Sequence, residues 1–495
     1  MSSSRHILSA PSSSSALDAL FEMALAAHQR GALAQAEPMY REIVRHQPRH
    51  HHALHLLGVL LHQQGQHAVA LVLIDRALEI MPRFPVALGN RGAVLRSLGR
   101  LEEALASCSQ SLILSPDNPD VLVSRAAVLM ALRRGEEALQ DCSRAIALEP
   151  GIAEAWNNRG ILLQDARRFE EARSDYEQAI RISPSYADAH WNIARCCLLQ
   201  GDYKRGWAEY EWRWQRPAFT SPQRNFAQPQ WQGEDLVGRR VLLHAEQGLG
   251  DSLQCLRYVP LLVERGATVW LEVQGALKPL LQGLPGVAGV LASGEALPSF
   301  DLHCPLLSLP LAFGTTVETV PPVQPLSVDA ELKEAWVVRL GPRHGLRVGL
   351  VWSGNPSQQD NDLRSLPLAD LVAAMPKGVE LISLQKELRT DVERQIVASG
   401  QVRHFGDFLR DFADTAALMG EVDMVVSVCT SVAHLAGVMK VQLEVMLQYA
   451  HDWRWLLDRE DSPWYPSARL HRQVVQGDWQ PVLAGVANAV RQRLT

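Results

Sequence analysis

Three polar segments follow apolar stretches in the C-terminal half of the sequence, and their residue types suit anion binding and proton transfer. The first segment is 247–251 (QGLGD), where Gly248 and Gly250 allow a ligand to approach and Asp251 falls at the expected start of a helix. The helix dipole keeps a carboxylate at that position ionised. Asp251 could therefore accept a proton from an attacking hydroxyl, although an ordinary helix cap is an alternative interpretation.

The second segment, 352–365, contains an S-G-N-P loop with Ser353 and Asn355 and, further on, Arg364. The Arg364 guanidinium and the Ser353 hydroxyl could together hold a diphosphate, because guanidinium groups pair well with phosphate oxygens. The triplet 360–362 (DND) has the D-x-D spacing of a known class of metal site. We expect no metal there, since the triplet lies in a polar loop.

The third segment begins where the apolar run 422–428 ends, and it reads C-T-S-V-A-H-L-A-G. Small and hydroxyl residues that open a helix leave free amide groups, which bind anions. Thr430 and Ser431 are therefore candidate anion ligands. His434 lies one turn into the helix and could reach a phosphate or a sugar, unless it is a purely structural histidine.

These segments require strands and helices to position them. Short β-branched runs predict strands that alternate with helices, and strand, tight loop, helix and strand form the unit of a parallel sheet. Two sets of such units predict two Rossmann-like halves, 236–325 and 346–495, joined by a linker at 326–345. In such sheets ligands bind at the carboxyl ends of the strands, which is where the three segments fall. The predicted strands are 241–245, 267–273, 346–352, 380–384 and 422–428.

The N-terminal part has a different order, because residues 17–220 repeat every 34 residues in about six units. Proline stops a helix, glycine makes a tight turn after one, and small residues let two helices approach. Paired helices of this kind must stack into a superhelix to bury a core. The preceding residues 1–16 are serine-rich and expected to be disordered, and 221–235 is expected to be a linker. The prolines are Pro48, Pro82, Pro116, Pro150 and Pro184, and the turn column is Gly31, Gly65, Gly99, Arg133, Arg167 and Gly201.

One polar column in the first helix of each repeat is a candidate binding surface. Asn90, Asn158 and Asn192 share this column, with Ser124 between the first two. An asparagine amide both donates and accepts hydrogen bonds, so the column could hold an extended polypeptide by its backbone. A solvated helix face is the alternative.

Composition excludes several classes of function. Lysine and arginine number 48 against 54 aspartate and glutamate, a net charge of −6, so a nucleic acid is not an expected partner. Four tryptophans between residues 207 and 231 could stack bases, but a cover for the open end of the superhelix is the favoured interpretation. The seven cysteines lack zinc or disulfide spacing, so no metal is expected. Without an apolar run of about 18 residues or a signal sequence, we expect a cytoplasmic protein without a membrane span.

The repeats resemble the tetratricopeptide repeat, and the asparagine column resembles the ladder that lines the substrate groove of protein O-GlcNAc transferases. The three polar segments, with D-F-A-D-T-A-A-L at 411–418 and D-W-R-W-L-L at 452–457, resemble heptosyltransferase-like glycosyltransferases of the GT-B fold. More closely, the chain resembles bacterial proteins that fuse tetratricopeptide repeats to such a domain. The resemblance implies that Asp251 is the catalytic base and that His434 lies at the nucleotide-sugar site. The family pattern has aspartate where Cys429 stands.

The sequence therefore predicts an α-solenoid followed by an α/β domain of the GT-B fold. The expected function is that of an inverting glycosyltransferase, which moves a sugar from a nucleotide sugar to a protein Ser or Thr in the repeat groove. The expected nucleotide-sugar ligands are Gly248, Gly250, Ser353, Asn355, Arg364, Thr430, Ser431 and His434. One alternative is a glycan or lipid-linked acceptor. The other is a non-catalytic adaptor whose transferase domain has decayed around Cys429.

Overall fold

The computed structural model describes residues 13–324, 326–357 and 361–494. Residues 1–12, most of the segment expected to be disordered, lie outside the described residues, as does Asp360 of the D-N-D triplet. The chain divides into two compact units, Met1–Ala189 and His190–Thr495. Each unit is described by itself.

Short helices of similar length form the repeat region, as the 34-residue period predicts. Each repeat contributes two antiparallel helices, and α11 and α12 of the last repeat belong mainly to the second unit. The helices are α1 (Ser13–Gln29), α2 (Leu33–His46), α3 (His51–Gln63), α4 (His67–Ile80), α5 (Pro85–Ser97), α6 (Leu101–Leu114), α7 (Pro119–Ala131), α8 (Gly135–Leu148), α9 (Ala153–Asp165), α10 (Phe169–Ile182), α11 (Ala187–Leu199) and α12 (Tyr203–Tyr210).

The turn between the two helices of each repeat uses a left-handed residue. Glycine adopts this conformation at Gly31, Gly65, Gly99 and Gly201, with φ between 73° and 85°. Arg133 and Arg167 take the same conformation in their repeats, with φ of 58° and 59°. The fourth and fifth repeats therefore place arginine, which is strained in this conformation, at the position where the other repeats have glycine, which is not strained there.

Small residues allow the paired helices to approach, as predicted. A Cβ at Gly160 would lie 2.5 Å from the Tyr176 ring, and one at Gly58 would lie 2.6 Å from Ile74. Cys108 and Cys142 occupy the same column as Ile74 and Tyr176 and are fully buried. Their thiols therefore serve as small core side chains.

Two tryptophans of the junction, Trp207 of α12 and Trp231 after it, lie in the core of the second unit. Trp207 is buried and packs edge-on against Tyr203 and Trp464, and the Trp464 indole N–H donates to the Tyr203 hydroxyl at 2.8 Å. Trp231 is also buried. These contacts support the interpretation of a cover that joins the last repeat to the α/β region.

Two parallel sheets form the rest of the second unit. The first has the strand order β3-β2-β1-β4, the second has the order β10-β9-β8-β5-β6-β7, and the described strand pairs are parallel. We call them the first and second α/β halves. The strands are β1 (Arg240–His244), β2 (Thr268–Val273), β3 (Val287–Ala292), β4 (Leu302–Pro305), β5 (Leu346–Val351), β6 (Val379–Ser383), β7 (Arg403–His404), β8 (Met424–Val428), β9 (Gln442–Leu447) and β10 (Ala468–Arg472).

Helices alternate with these strands, and the five strands predicted from the sequence begin and end within two residues of the observed bounds. The helices are α13 (Leu249–Cys255), α14 (Val259–Glu264), α15 (Lys278–Leu281), α16 (Leu309–Ala312), α17 (Ala330–Leu340), α18 (Asn361–Arg364), α19 (Leu368–Ala374), α20 (Asp391–Ala398), α21 (Phe412–Met419), α22 (Ser431–Val438) and α23 (Gln480–Leu494).

Candidate functional site

The first and third polar segments meet where the two α/β halves touch. α13 follows β1 in the first half and α22 follows β8 in the second, so both helices begin at the carboxyl ends of parallel strands. Gly250 packs closely against the His434 ring. A Cβ added at Gly250 would lie only 2.5 Å from His434 Cδ2. The absence of a side chain at Gly250 therefore lets the two helices approach.

Asp251 both caps its helix and faces a cation. Its Oδ2 accepts the Gly248 amide at 2.7 Å, and its Oδ1 accepts Arg454 Nη2. The side chain is 19% exposed. Burial raises the pKa of Asp251, and the charge of Arg454 opposes that rise. A carboxylate has about four lone-pair sites, so Asp251 can accept a further hydrogen bond. The side chain can therefore both cap its helix and act as a base.

His434 lies in an aromatic pocket of the second half. Its Nδ1 is 2.8 Å from the Tyr465 hydroxyl, and its ring stacks on Trp455 with centroids 5.8 Å apart. The side chain is buried, and this burial lowers the pKa of His434 to about 3. The imidazole is therefore neutral at physiological pH, and a ligand would meet it as a hydrogen-bonding or packing group rather than a cation.

The S-G-N-P loop of the second segment is held by side chains from the loop after β6. The Ser353 hydroxyl accepts Gln385 Nε2 and Arg389 Nη1, each at 3.0 Å. The Ser353 amide donates to Gln385 Oε1 at 2.8 Å. Asn355 is exposed and its Oδ1 accepts the Ser357 amide at 3.0 Å, so this side chain closes a turn of the loop.

Arg364 links the second segment to the third. Its Nη1 donates to the Cys429 carbonyl at 3.5 Å, and its Nε donates to Asn361 Oδ1 at 3.2 Å. The guanidinium passes directly over Gly354, where a Cβ would clash with it. Burial lowers the pKa of Arg364, and repulsion from Arg389 contributes to this effect. Two guanidinium groups therefore lie near the S-G-N-P loop, and that of Arg364 also contacts the loop before α22.

The start of α22 has the features of an anion site. Thr430 is the extended residue before the helix, and its hydroxyl lies 3.4 Å from Ser427 Oγ. Ser431 is the first helical residue and is half-buried. The first amides of a helix have no acceptor within the helix, so those of α22 can bind an anion from outside it.

Three residues of this site were not singled out from the sequence. Arg454 lies within the D-W-R-W-L-L motif, but nothing in the sequence pairs it with Asp251, from which 203 residues separate it. Gln385 and Arg389 lie after β6 in a stretch without a recognisable motif. Only the tertiary fold shows that they support Ser353.

The asparagine column has three different environments. Asn90 Nδ2 is 2.8 Å from Nε2 of His55, a buried histidine whose pKa is lowered to about 4 by burial. Asn158 is buried, and its Nδ2 has no hydrogen-bond partner among the described residues. Asn192 lies in the second unit and is half-buried. The column is therefore not a uniform solvated face.

Two features are absent from the described part of the chain. Within residues 13–324, 326–357 and 361–494, no three histidine, cysteine, aspartate or glutamate side chains are placed to hold a metal ion together. In the same ranges, every helix is too short or too polar to cross a membrane.

Comparison with known proteins identifies the repeats. The family model for the tetratricopeptide repeat matches residues 21–85 and 157–211, so the chain carries tetratricopeptide repeats. The chain is 28% identical over 327 residues to the protein FlbA of Caulobacter vibrioides, with 60% of this chain and 54% of that protein covered. The chain thus spans about half the length of this relative.

Two solved structures resemble part of the chain. The structure of pilF from Pseudomonas aeruginosa has 20% identity and a TM-score of 0.36, with 41% of this chain and 93% of that chain covered. A tetratricopeptide repeat protein from Parabacteroides merdae has 22% identity and a TM-score of 0.34, with 40% and 79% covered.

Proposed function

We propose that this chain is an inverting glycosyltransferase of the GT-B fold that transfers a sugar from a nucleotide sugar to a Ser or Thr hydroxyl of a protein. The observation that carries the proposal is the contact between α13 and α22. It packs Gly250, the neighbour of the candidate base Asp251, against His434 one turn into α22, and both helices follow the carboxyl ends of parallel strands, where α/β folds bind their ligands.

In the proposed reaction Asp251 accepts the proton of the acceptor hydroxyl. The hydroxyl oxygen forms a bond to the anomeric carbon of the donor from the face opposite the leaving group. The bond between that carbon and the diphosphate oxygen breaks, and its electron pair leaves with the nucleoside diphosphate. The anomeric configuration is inverted. Asp251 is suited to this step because Arg454 and the Gly248 amide fix its orientation.

The leaving diphosphate needs positive charge, and the second α/β half supplies it without a metal. Arg364 contacts the loop before α22, and Arg389 lies against Ser353. The Ser431 amide is a further donor at the start of α22, and the helix dipole favours negative charge there. Groups fixed before the reaction stabilise developing charge well, because they need not reorganise as it forms. His434 would contact the donor as a neutral ring.

The repeats would bind the acceptor protein. Tetratricopeptide repeats are protein-interaction repeats, and Asn158 carries a buried amide donor without a partner among the described residues. A buried donor of this kind is costly unless a ligand satisfies it. The backbone carbonyl of an extended polypeptide is such a ligand.

A thermal-shift screen with nucleotides and nucleotide sugars tests the proposal. A donor at about 100 times its dissociation constant adds about 2.7 kcal/mol, which raises the melting temperature by several degrees. With the donor known, Asp251→Asn should abolish transfer and keep donor binding. Asp329→Asn is the matched control, since Asp329 caps α17 through two amides without facing the site. Loss of transfer in both variants, or in neither, would contradict the role of Asp251.

Two other functions make different predictions. A non-catalytic adaptor is favoured by Cys429, which replaces the aspartate of the family pattern, and it predicts no shift with any donor. A glycan or lipid-linked acceptor predicts that the combined variant of Asn90, Asn158 and Asn192 to alanine transfers sugar as well as the wild type. The protein-acceptor proposal instead predicts loss of transfer to protein with donor hydrolysis intact.

A further inference from the structure

The guanidinium of Arg454 uses all three of its nitrogens in polar contacts. Nη2 donates to Asp251 Oδ1, Nη1 donates to Asp452 Oδ1 at 2.8 Å, and Nε donates to Gln254 Oε1 at 2.6 Å. The group also lies 4.1 Å from the centre of the Trp453 ring, and Arg454 is only 7% exposed. Three hydrogen bonds and one aromatic ring therefore fix the position of the guanidinium.

These contacts join the two α/β halves. Asp251 and Gln254 lie on α13 of the first half, whereas Arg454 and Asp452 follow β9 of the second half. The cation paired with the candidate base therefore comes from the half that would bind the nucleotide sugar. Under the proposed function, the acceptor and the nucleotide sugar bind to different halves, and this ion pair joins those halves.

The ion pair favours the ionised form of a largely buried carboxylate. Burial alone favours the neutral form of an acid, and a neutral Asp251 could not take a proton from a hydroxyl. Arg454 is the cation in contact with Asp251 in the described chain, and Asp452 competes for it as a second carboxylate. The other titratable groups that interact with Asp251 are Glu246 of the β1–α13 loop, Cys255 of α13, Tyr210 of α12 and Tyr465 after β9.

We propose that Arg454 is a positioning residue, which holds Asp251 ionised and oriented from the opposite half of the α/β region. This inference rests on the proposed function for its consequence in catalysis. The coupling between Arg454 and Asp251 itself is measurable without any substrate.

The test measures the pKa of Asp251 by carbon NMR in the full chain labelled with carboxyl-¹³C aspartate. The Asp251 resonance is assigned by its loss in Asp251→Asn. Arg454→Gln should raise the pKa of Asp251 by about 1–3 pH units, the usual effect of a neighbouring opposite charge. Arg454→Lys should restore most of the wild-type value.

Arg257→Gln is the matched control. Arg257 is another buried arginine just after α13 that reaches the second half, but it donates to the carbonyls of Gln254, Pro321 and Trp464 and to no carboxylate. Its loss should lower stability and leave the pKa of Asp251 unchanged. An unchanged pKa in Arg454→Gln, or an equal rise in Arg257→Gln, would overturn the proposal.

Asp452→Asn keeps the test decisive if Arg454→Gln does not fold. Removal of this like charge leaves Arg454 to Asp251 alone, so the pKa of Asp251 should fall, and a rise or no change counts against the coupling. Once a donor is known, the low-pH limb of kcat should move by the same amount in Arg454→Gln, with KM for the donor unchanged. If the pKa moves and no donor is turned over, the coupling stands and the proposed function fails.

Discussion

Replacement of Gly250 by alanine tests whether the two α/β halves meet as described. The new Cβ would lie 2.5 Å from Cδ2 and 3.3 Å from Cγ of His434, against 3.4–4 Å for an ordinary contact. The His434 ring cannot easily move aside, because Tyr465 and Trp455 hold it. The helices α13 and α22 must therefore separate by roughly 1 Å, which is the kind of displacement seen in overpacked cores.

The cost of this displacement can be estimated. Overpacking a core costs about 1–3 kcal/mol, and removal of a helical glycine returns about 0.5–1 kcal/mol. At the middle of these ranges the free energy of unfolding should therefore fall by about 1 kcal/mol, which lowers the melting temperature by about 2–4 °C. Donor binding should weaken as well, since α22 carries the proposed anion site.

The assay is differential scanning fluorimetry, with Gly275→Ala as control. Gly275 lies in the same half with an ordinary φ, and a methyl group there would meet no atom of the described chain within 4 Å. The double variant Gly250→Ala with His434→Ala should be less destabilised than the sum of the single variants, because the ring that the new methyl group meets is gone. Additive effects, or equal melting temperatures for Gly250→Ala and Gly275→Ala, would refute the contact.

Three other sets of substitutions test single features of the chain. Burial lowers the pKa of His434 from 6.5 to about 3. Below pH 6.5 the unfolded chain therefore binds a proton that the folded chain excludes. The free energy of unfolding should fall by about 1.4 kcal/mol per pH unit as the pH drops from 6.5 towards 3. Urea unfolding at pH 7 and pH 5 should show a larger loss for the wild type than for His434→Gln. Arg133→Gly and Arg167→Gly should each stabilise the repeats by about 0.5–1 kcal/mol in thermal melts, because φ angles of 58° and 59° are unfavourable for L-residues. The control Arg134→Gly, at a φ of −95°, should destabilise the repeats. Asn158→Ala should leave the melting temperature unchanged or raise it, since it removes a buried Nδ2 that has no partner among the described residues, and should weaken binding of a partner polypeptide in calorimetry.

The repeat helices could be predicted in detail because their order is local. The helices of a repeat depend on residues within one 34-residue period, and proline, glycine and small residues mark the same points in each period. Even the substitutions follow the pattern, since Arg133 and Arg167 keep the left-handed turn that glycine makes elsewhere. The sequence could not show that Asn90 contacts His55 whereas Asn158 Nδ2 has no hydrogen-bond partner among the described residues, because those differences arise from neighbouring repeats.

The site could be predicted only in part. Strand ends followed by helix starts placed Asp251 and His434 on the correct edges of their sheets, since parallel strands bring their carboxyl ends together. The contact between the halves was not predictable, because it depends on side chains far apart in sequence. Arg454 and Arg389 carry no local signal that distinguishes them from the other arginines of the chain.

Cys429 changes the charge balance of the proposed donor site. Its thiol accepts the Trp455 indole N–H at 3.1 Å, and burial raises the pKa of Cys429 to about 11, so this side chain is neutral. The aspartate that the resemblance to heptosyltransferases leads one to expect here is thus absent next to Arg364, which donates to the Cys429 carbonyl. Arg364 and Arg389 then face the site with one less counter-charge, and Asp452, already paired with Arg454, is the acid that interacts with Arg364. Such a site should favour the most negatively charged part of a donor, its diphosphate, over contacts with neutral sugar hydroxyls. On this argument Cys429 alters which sugar is preferred more than whether a nucleotide binds.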